Sequence, residues 1–131
     1  MGGVTVALQS SVNHDLSAEQ AGVMGAKGAS IKVFKITLPA SYNQTTTHGS
    51  TLDLSTYFKQ RVYWALPISP FSINASTGAV CIGLVPGTAK TDRPGGFLPS
   101  NWKVRAFATA TESANAANLG AYTAYIVVCG V

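Results

Sequence analysis

Charged side chains are scarce in this sequence. Only 11% of its 131 residues are Asp, Glu, Lys or Arg, whereas an ordinary soluble domain has roughly 25%. A free monomer of this length normally keeps its large surface hydrated with charge. The composition therefore predicts a chain that hides part of its surface, either in a membrane or against other proteins.

Long hydrophobic runs are missing as well. The chain is 47% hydrophobic with a mean hydropathy of +0.22, yet no run approaches the roughly 18 apolar residues of a transmembrane helix. The first residues, Met1 to Leu8, lack the basic region of a signal peptide. We therefore expect no membrane span, and we favour burial against other copies or partner proteins.

Clusters of catalytic or metal-binding residues are also absent. The five acids stand apart in polar segments, and His14 and His48 form no metal-ligand pattern with Cys or Asp. Asp53 fits turn or capping chemistry. A Cys81 nucleophile with a His48 base stays open, although no helix N-terminus is expected to activate the thiol. The sequence predicts no enzyme, no metal and no cofactor.

Cysteine is rare, and the basic residues do not cluster. Cys81 and Cys129 lie inside apolar runs, which predicts free thiols buried like small hydrophobic residues. The net charge is +4, from nine Lys and Arg against five Asp and Glu, and the basic residues are spread along the chain. Dispersed charge argues against direct nucleic-acid binding, whereas a mildly basic surface suits an acidic protein lattice.

Short apolar runs separated by Gly, Pro, Ser, Thr and Asn clusters predict an all-β fold. We expect one structural domain, with the β domain over residues 29–131 preceded by an N-terminal strand and arm over residues 1–28. The six predicted strands cover residues 4–8, 30–38, 61–66, 79–85, 102–107 and 121–129.

Alternation within these strands predicts which side chains face the core. The last strand is apolar on both faces, as expected of a central strand or one covered by a neighbouring subunit. The predicted inward sets are Phe34, Ile36 and Leu38; Val62, Trp64 and Leu66; Val80, Ile82 and Leu84; and Trp102, Val104 and Ala106.

Two segments without a strand pattern are the predicted contact regions. They are the arm over residues 9–28 and the loop over residues 86–100, which is longer than most hairpin loops. Deleting residues 1–28 is expected to leave the β domain folded and to weaken assembly. The candidate partner contacts are Leu16, Met24, Arg93, Phe97 and Leu98.

The order of segments in the second half resembles that of the head decoration, or cement, proteins of tailed bacteriophages. The resemblance rests on residues 51–55 (Thr-Leu-Asp-Leu-Ser), the strand ending at 62–67, the strand over 101–107, the connector over 113–119 and the final strand over 122–131. It implies that residues 29–131 form a jelly-roll-like β-sandwich or barrel. It also implies a homo-oligomer, most often a trimer, on the capsid surface of the virion. It also implies that the partner is the major capsid protein and that no catalytic residue is present.

Two other interpretations stay open. The chain could be a tail, connector or fibre component of the virion. It could also be a receptor- or carbohydrate-binding β-sandwich, for which Tyr42, Asp92 and Phe97 are the candidate ligand contacts.

Overall fold

The protein is an all-β domain, as the sequence predicts. The structure, a computed structural model, describes residues 3–12, 29–44, 49–68, 71–74, 78–107, 113 and 117–131. Within these ranges the regular elements are eight strands: β1 (Thr5–Val12), β2 (Ser30–Thr37), β3 (Ser50–Leu52), β4 (Val62–Pro67), β5 (Phe71–Asn74), β6 (Gly78–Val85), β7 (Trp102–Phe107) and β8 (Thr123–Gly130).

The strands form two antiparallel layers. The first sheet has the order β1-β2-β8-β4, and the second has the order β5-β6-β7-β3. Among the described residues, the pair of Ile73 with Thr123 joins them through β5 and β8. On the opposite side the Val4 N–H donates to the Thr51 carbonyl at 2.9 Å, so β1 also reaches β3. The predicted β-sandwich or barrel is confirmed, and the finer jelly-roll arrangement stays a prediction.

The core lies between the two sheets and follows the predicted alternation on β2, β6 and β7. The predicted residues of β2 and β7 are buried, and so are Val80 and Ile82 of β6. Phe34 at the centre packs edge-on against Tyr57 and Phe58, with ring centroids 4.8 and 6.2 Å away. Each such side chain stabilises the fold by roughly 1.5–3 kcal/mol through its burial.

Strand β4 departs from the predicted alternation because it contains a β-bulge. Val62 pairs with Gly130 and Trp64 pairs with Cys129, so Tyr63 is an extra residue opposite β8. An extra residue shifts every later side chain to the other face of a strand. The inward residues are therefore Val62 and Ala65, and the predicted inward positions of Trp64 and Leu66 are wrong.

Strand β1 is longer than predicted. It pairs with β2 from Thr5 to Val12, with a register irregularity between Leu8 and Ser10. Val4 and Val6 pack against the main core. Residues 9–12 of the predicted arm are thus part of the first sheet, and residues 13–28 lie outside the described residues.

The segment after β3 forms a single turn. The amides of Tyr57 and Phe58 both donate to the Leu54 carbonyl at 3.0 Å. The Asp53 carboxylate accepts hydrogen bonds from the Ser55 amide and hydroxyl, at 2.9 and 2.6 Å. Asp53 therefore has the turn-forming role that the sequence predicts.

Candidate interaction surfaces

Reactive groups are few in the part of the chain that the structure describes. Those residues contain no group of three or more His, Cys, Asp or Glu that could hold a metal ion. Cys81 and Cys129 are free thiols, and burial raises the pKa of the Cys129 thiol, which makes it a poor nucleophile. His14 and His48 lie outside the described residues, and with them the Cys81–His48 pair.

The three candidate sugar contacts do not form one open site. Tyr42 is buried, and its hydroxyl accepts a hydrogen bond from the Ala106 amide at 3.1 Å. Phe97 is half-buried, edge-on to Trp102 with ring centroids 5.6 Å apart. Asp92 is exposed and bound by Arg61. A stacking platform needs an accessible ring beside polar groups, and Tyr42 does not provide one.

The outer side of the first sheet is apolar over three strands. The register of β2, β8 and β4 places side chains there in three rows across the sheet. The first row lies beside Ala29 and Tyr63 in a small buried cluster, and the other two rows are more open. We call this surface the apolar face; its rows are Ile31, Cys129 and Trp64, then Val33, Val127 and Leu66, then Lys35, Tyr125 and Ile68.

Three hydrophobic side chains of the apolar face are unusually exposed to solvent. Leu66 is 57% exposed, Ile68 is 59% exposed and Tyr125 is 46% exposed. These three side chains are neighbours: Leu66 is opposite Val127 on β8, and the Ile68 amide donates to the Tyr125 carbonyl at 2.9 Å. Contiguous exposed apolar side chains are typical of interaction surfaces.

The loop over residues 86–100 has a defined structure. The Lys90 amide donates to the Gly96 carbonyl at 2.9 Å, and the Leu98 amide donates to the Thr88 carbonyl at 2.8 Å. Phe97 pairs on one side with Ala89 and on the other with Val62 of β4. The loop therefore continues the first sheet beyond β4 as a short hairpin.

Arg61 holds this hairpin to the sheet. Its buried guanidinium donates to the Gly95 carbonyl at 2.7 Å and to the Asp92 carboxylate at 2.8 Å. The hydrogen bond from Arg61 holds the pKa of the Asp92 carboxyl below its ordinary value. Charge-assisted bonds of this kind fix the geometry of a loop more firmly than neutral ones.

Two of the predicted contact residues lie on the outside of this hairpin. Arg93 is exposed, and Leu98 is 37% exposed. Phe97 packs partly against the core. Leu16 and Met24 lie outside the described residues. The structure thus places Arg93 and Leu98 together on one ordered loop.

The outer side of the second sheet differs in character from the apolar face. Lys103 and Arg105 alternate there along β7, opposite Thr51 of β3 and Gly83 of β6 respectively. The Arg105 guanidinium lies over the Phe107 ring, 5.6 Å from its centroid. This side of the molecule is basic where the first sheet is apolar.

No protein-family model, curated protein sequence or solved structure significantly matches the chain. Among the described residues, no helix has the length and apolar character needed to cross a bilayer.

Proposed function

We propose that the protein is a structural component of a phage virion, a decoration or cement protein that binds the head at junctions between major capsid subunits. Its partners are the major capsid protein and other copies of itself. The assignment to phage decoration proteins rests on the order of segments in the sequence. The role in assembly rests on the surfaces of the folded domain.

The observation that supports an assembly role most directly is the apolar face. Leu66, Ile68 and Tyr125 are each about half exposed on a charge-poor domain. Burying apolar surface contributes roughly 25 cal/mol per Å², so covering this face yields a substantial free energy of association. An enzyme would need instead a cleft with convergent polar groups.

The hairpin over residues 88–98 supports docking on a second kind of partner. Arg61 fixes the loop in advance, so little conformational entropy is lost when the loop binds. Arg93 supplies a positive charge for an acidic lattice, and Leu98 supplies an apolar contact on the same hairpin. Several such contacts act together when the copies are linked in one assembly.

The test is reconstitution on heads encoded by the same genome. Heads assembled without the protein are expected to release DNA at a lower temperature than complete heads, and adding the purified chain back is expected to restore the higher temperature. Equal release temperatures with and without bound protein would contradict a cement role. Labelled protein located on the tail would support the tail interpretation instead.

A double variant and a control test whether the hairpin is the part of the protein that binds the head. Replacing Arg93 by Ala and Leu98 by Asp together should weaken head binding by at least roughly tenfold, the loss typical of an interface hot spot. Lys59→Ala is the matched control, because Lys59 is an exposed cation on the turn after β3. If the control weakens binding as much, the hairpin is not the docking element.

A further inference from the structure

We infer that the outer edge of β1 is a self-association site, at which β1 of a second copy pairs antiparallel with it about a two-fold axis through Ala7. The inference rests on the proposed function for its biological role, and it names the strand through which copies of the chain meet. Backbone hydrogen bonds across this edge join the first sheets of two copies into one continuous sheet.

Strand β1 is an edge strand without the usual protection against pairing. It spans eight residues and contains neither a charged residue nor a proline. Folded proteins normally block an edge with lysine, proline, a covering loop or a very short strand. The outer edge of β4 has Pro67 and pairs with Phe97 of the hairpin, and β3 has only three residues. Among the described strands, β1 therefore has the longest open edge.

The backbone groups that face outward on β1 follow from its hydrogen bonds. The Val4 amide donates to the Thr51 carbonyl on β3, and thus points away from β2. Because the N–H and C=O groups of successive residues alternate between the two edges of a strand, Val6 and Leu8 also face away from β2. Within the described ranges, neither residue has a backbone hydrogen bond to a residue outside the first sheet. Both therefore present a donor and an acceptor to a neighbouring strand.

The register irregularity of β1 sets the position of the two-fold axis. It lies between Leu8 and Ser10, and a bulge of this kind bends a strand and interrupts its ladder. The regular part of the edge therefore ends at Leu8. An axis through Ala7 uses both outward residues, because Val6 of one copy is then opposite Leu8 of the other. Each such pair exchanges an N–H···O=C bond in both directions.

The exposure of the Leu8 side chain supports the same register. Leu8 pairs with Phe34, whose side chain is fully buried, so Leu8 lies on the core side of the first sheet. It is nevertheless 41% exposed. Opposite Val6 of the second copy, Leu8 packs against an apolar side chain on the same side of the joined sheet. The pairing thus covers apolar surface as well as backbone groups.

A second copy fits this edge because β1 is compatible with itself. An uncharged strand brings no like charges together when it pairs with its own copy. A two-fold contact also satisfies the same groups on both copies and closes at two. Head-to-tail pairing needs another open edge of similar length on each copy, and the described strands other than β1 provide none.

The first experiment is the mass in solution of the full chain, measured by light scattering at protein concentrations from micromolar to millimolar. The wild type is expected to approach twice the 13.6 kDa of one chain as the concentration rises. Leu8→Pro should weaken dimerisation at least roughly tenfold, because each copy loses an outward donor. Leu8→Ala is the matched control, since it keeps the amide and should weaken dimerisation less. A thermal melt should show that Leu8→Pro is still folded, because the lost amide does not face β2.

A charge pair at Ala7 tests the register without changing the backbone, including the case in which Leu8→Pro does not fold. Ala7 is exposed, and the two-fold axis places the Ala7 side chains of the two copies opposite each other. Ala7→Lys and Ala7→Glu should each dimerise poorly alone. Their equimolar mixture should dimerise at least roughly tenfold more tightly. Ala89→Lys, at an exposed alanine of the hairpin, is the control and should dimerise like the wild type.

A wild type that stays monomeric at millimolar concentration overturns the inference, and so does a trimer. A dimer that Leu8→Pro and Ala7→Lys both leave intact overturns it as well. Head stabilisation is measured separately, so the two proposals fail independently. A monomer that stabilises heads contradicts the edge contact alone, whereas a dimer that stabilises no head contradicts the cement role alone.

Discussion

Gly130, the last residue of β8, packs closely against the backbone of Arg61 and the ring of Phe58. A Cβ atom at this position would lie 2.6 Å from the Arg61 carbonyl oxygen and 2.7 Å from Cδ1 of Phe58. The Arg61 carbonyl is itself held in place, because it accepts a hydrogen bond from the Val131 amide. Glycine is therefore required here by close backbone approach rather than by its dihedral angles.

Gly130→Ala is expected to destabilise the fold by about 1–3 kcal/mol, as overpacking a rigid site does. Gly83→Ala is the matched control, because a Cβ on Gly83 meets nothing within 4 Å. Urea unfolding midpoints compare the two. Equal midpoints for both variants would mean that the chain around Gly130 yields easily.

The Arg61–Asp92 pair makes the stability of the fold depend on pH in the acid range. The Asp92 pKa is lowered in the folded protein by the hydrogen bond from Arg61. The folded state thus binds this proton less readily than the unfolded state. Its contribution to stability is fully present above the ordinary value of 3.8 and is lost as the pH falls below it.

Asp92→Asn should therefore reduce the sensitivity of the protein to acid. We expect the urea midpoint of the wild type to fall more steeply than that of the variant between neutral pH and about pH 3. At neutral pH the variant should be the less stable of the two, because the amide lacks the charge that faces Arg61. Parallel falls in the two midpoints would contradict the role of this pair.

At the scale of the strands, the sequence predicts an element well where polar side chains mark its outer face. Lys103 and Arg105 alternate with apolar residues on β7, and the inward set is confirmed there. Strand β4 has no charged residue that identifies its outer face. The bulge at Tyr63 reverses which of its later side chains face the core. The β4 part of the apolar face could not be predicted for this reason, because its outward Trp64 and Leu66 have the composition of core residues.

Strand β1 changes the expectation for an N-terminal deletion. Its backbone pairs with β2 over its whole length, and Val6 packs against the core. Removing residues 1–28 should therefore lower the melting temperature clearly rather than leave the domain intact, since β2 would become an unprotected edge. A deletion variant with the melting temperature of the full chain would show that β1 contributes little.

The surface of the whole molecule has three regions that differ in charge and polarity. The overall amino-acid composition does not distinguish them. The first sheet is apolar outside, the second presents Lys103 and Arg105, and the hairpin presents Arg93 and Leu98. Overall charge scarcity predicted that some surface is covered. Which surface it is depends on strand register and on one bulge, and neither can be read from residue counts.

The central position of β8 has a consequence for synthesis of the protein in the cell. This strand pairs with β2, β4 and β5, yet 122 residues precede it in the chain. At roughly 5–20 residues per second, at least about 6 seconds pass on the ribosome before β8 exists. From the synthesis of β2 until β8 emerges, Phe34 and Ile36 have only β1 beside them. The second edge of β2 stays open during this time, which makes the nascent chain prone to aggregation unless chaperones bind it.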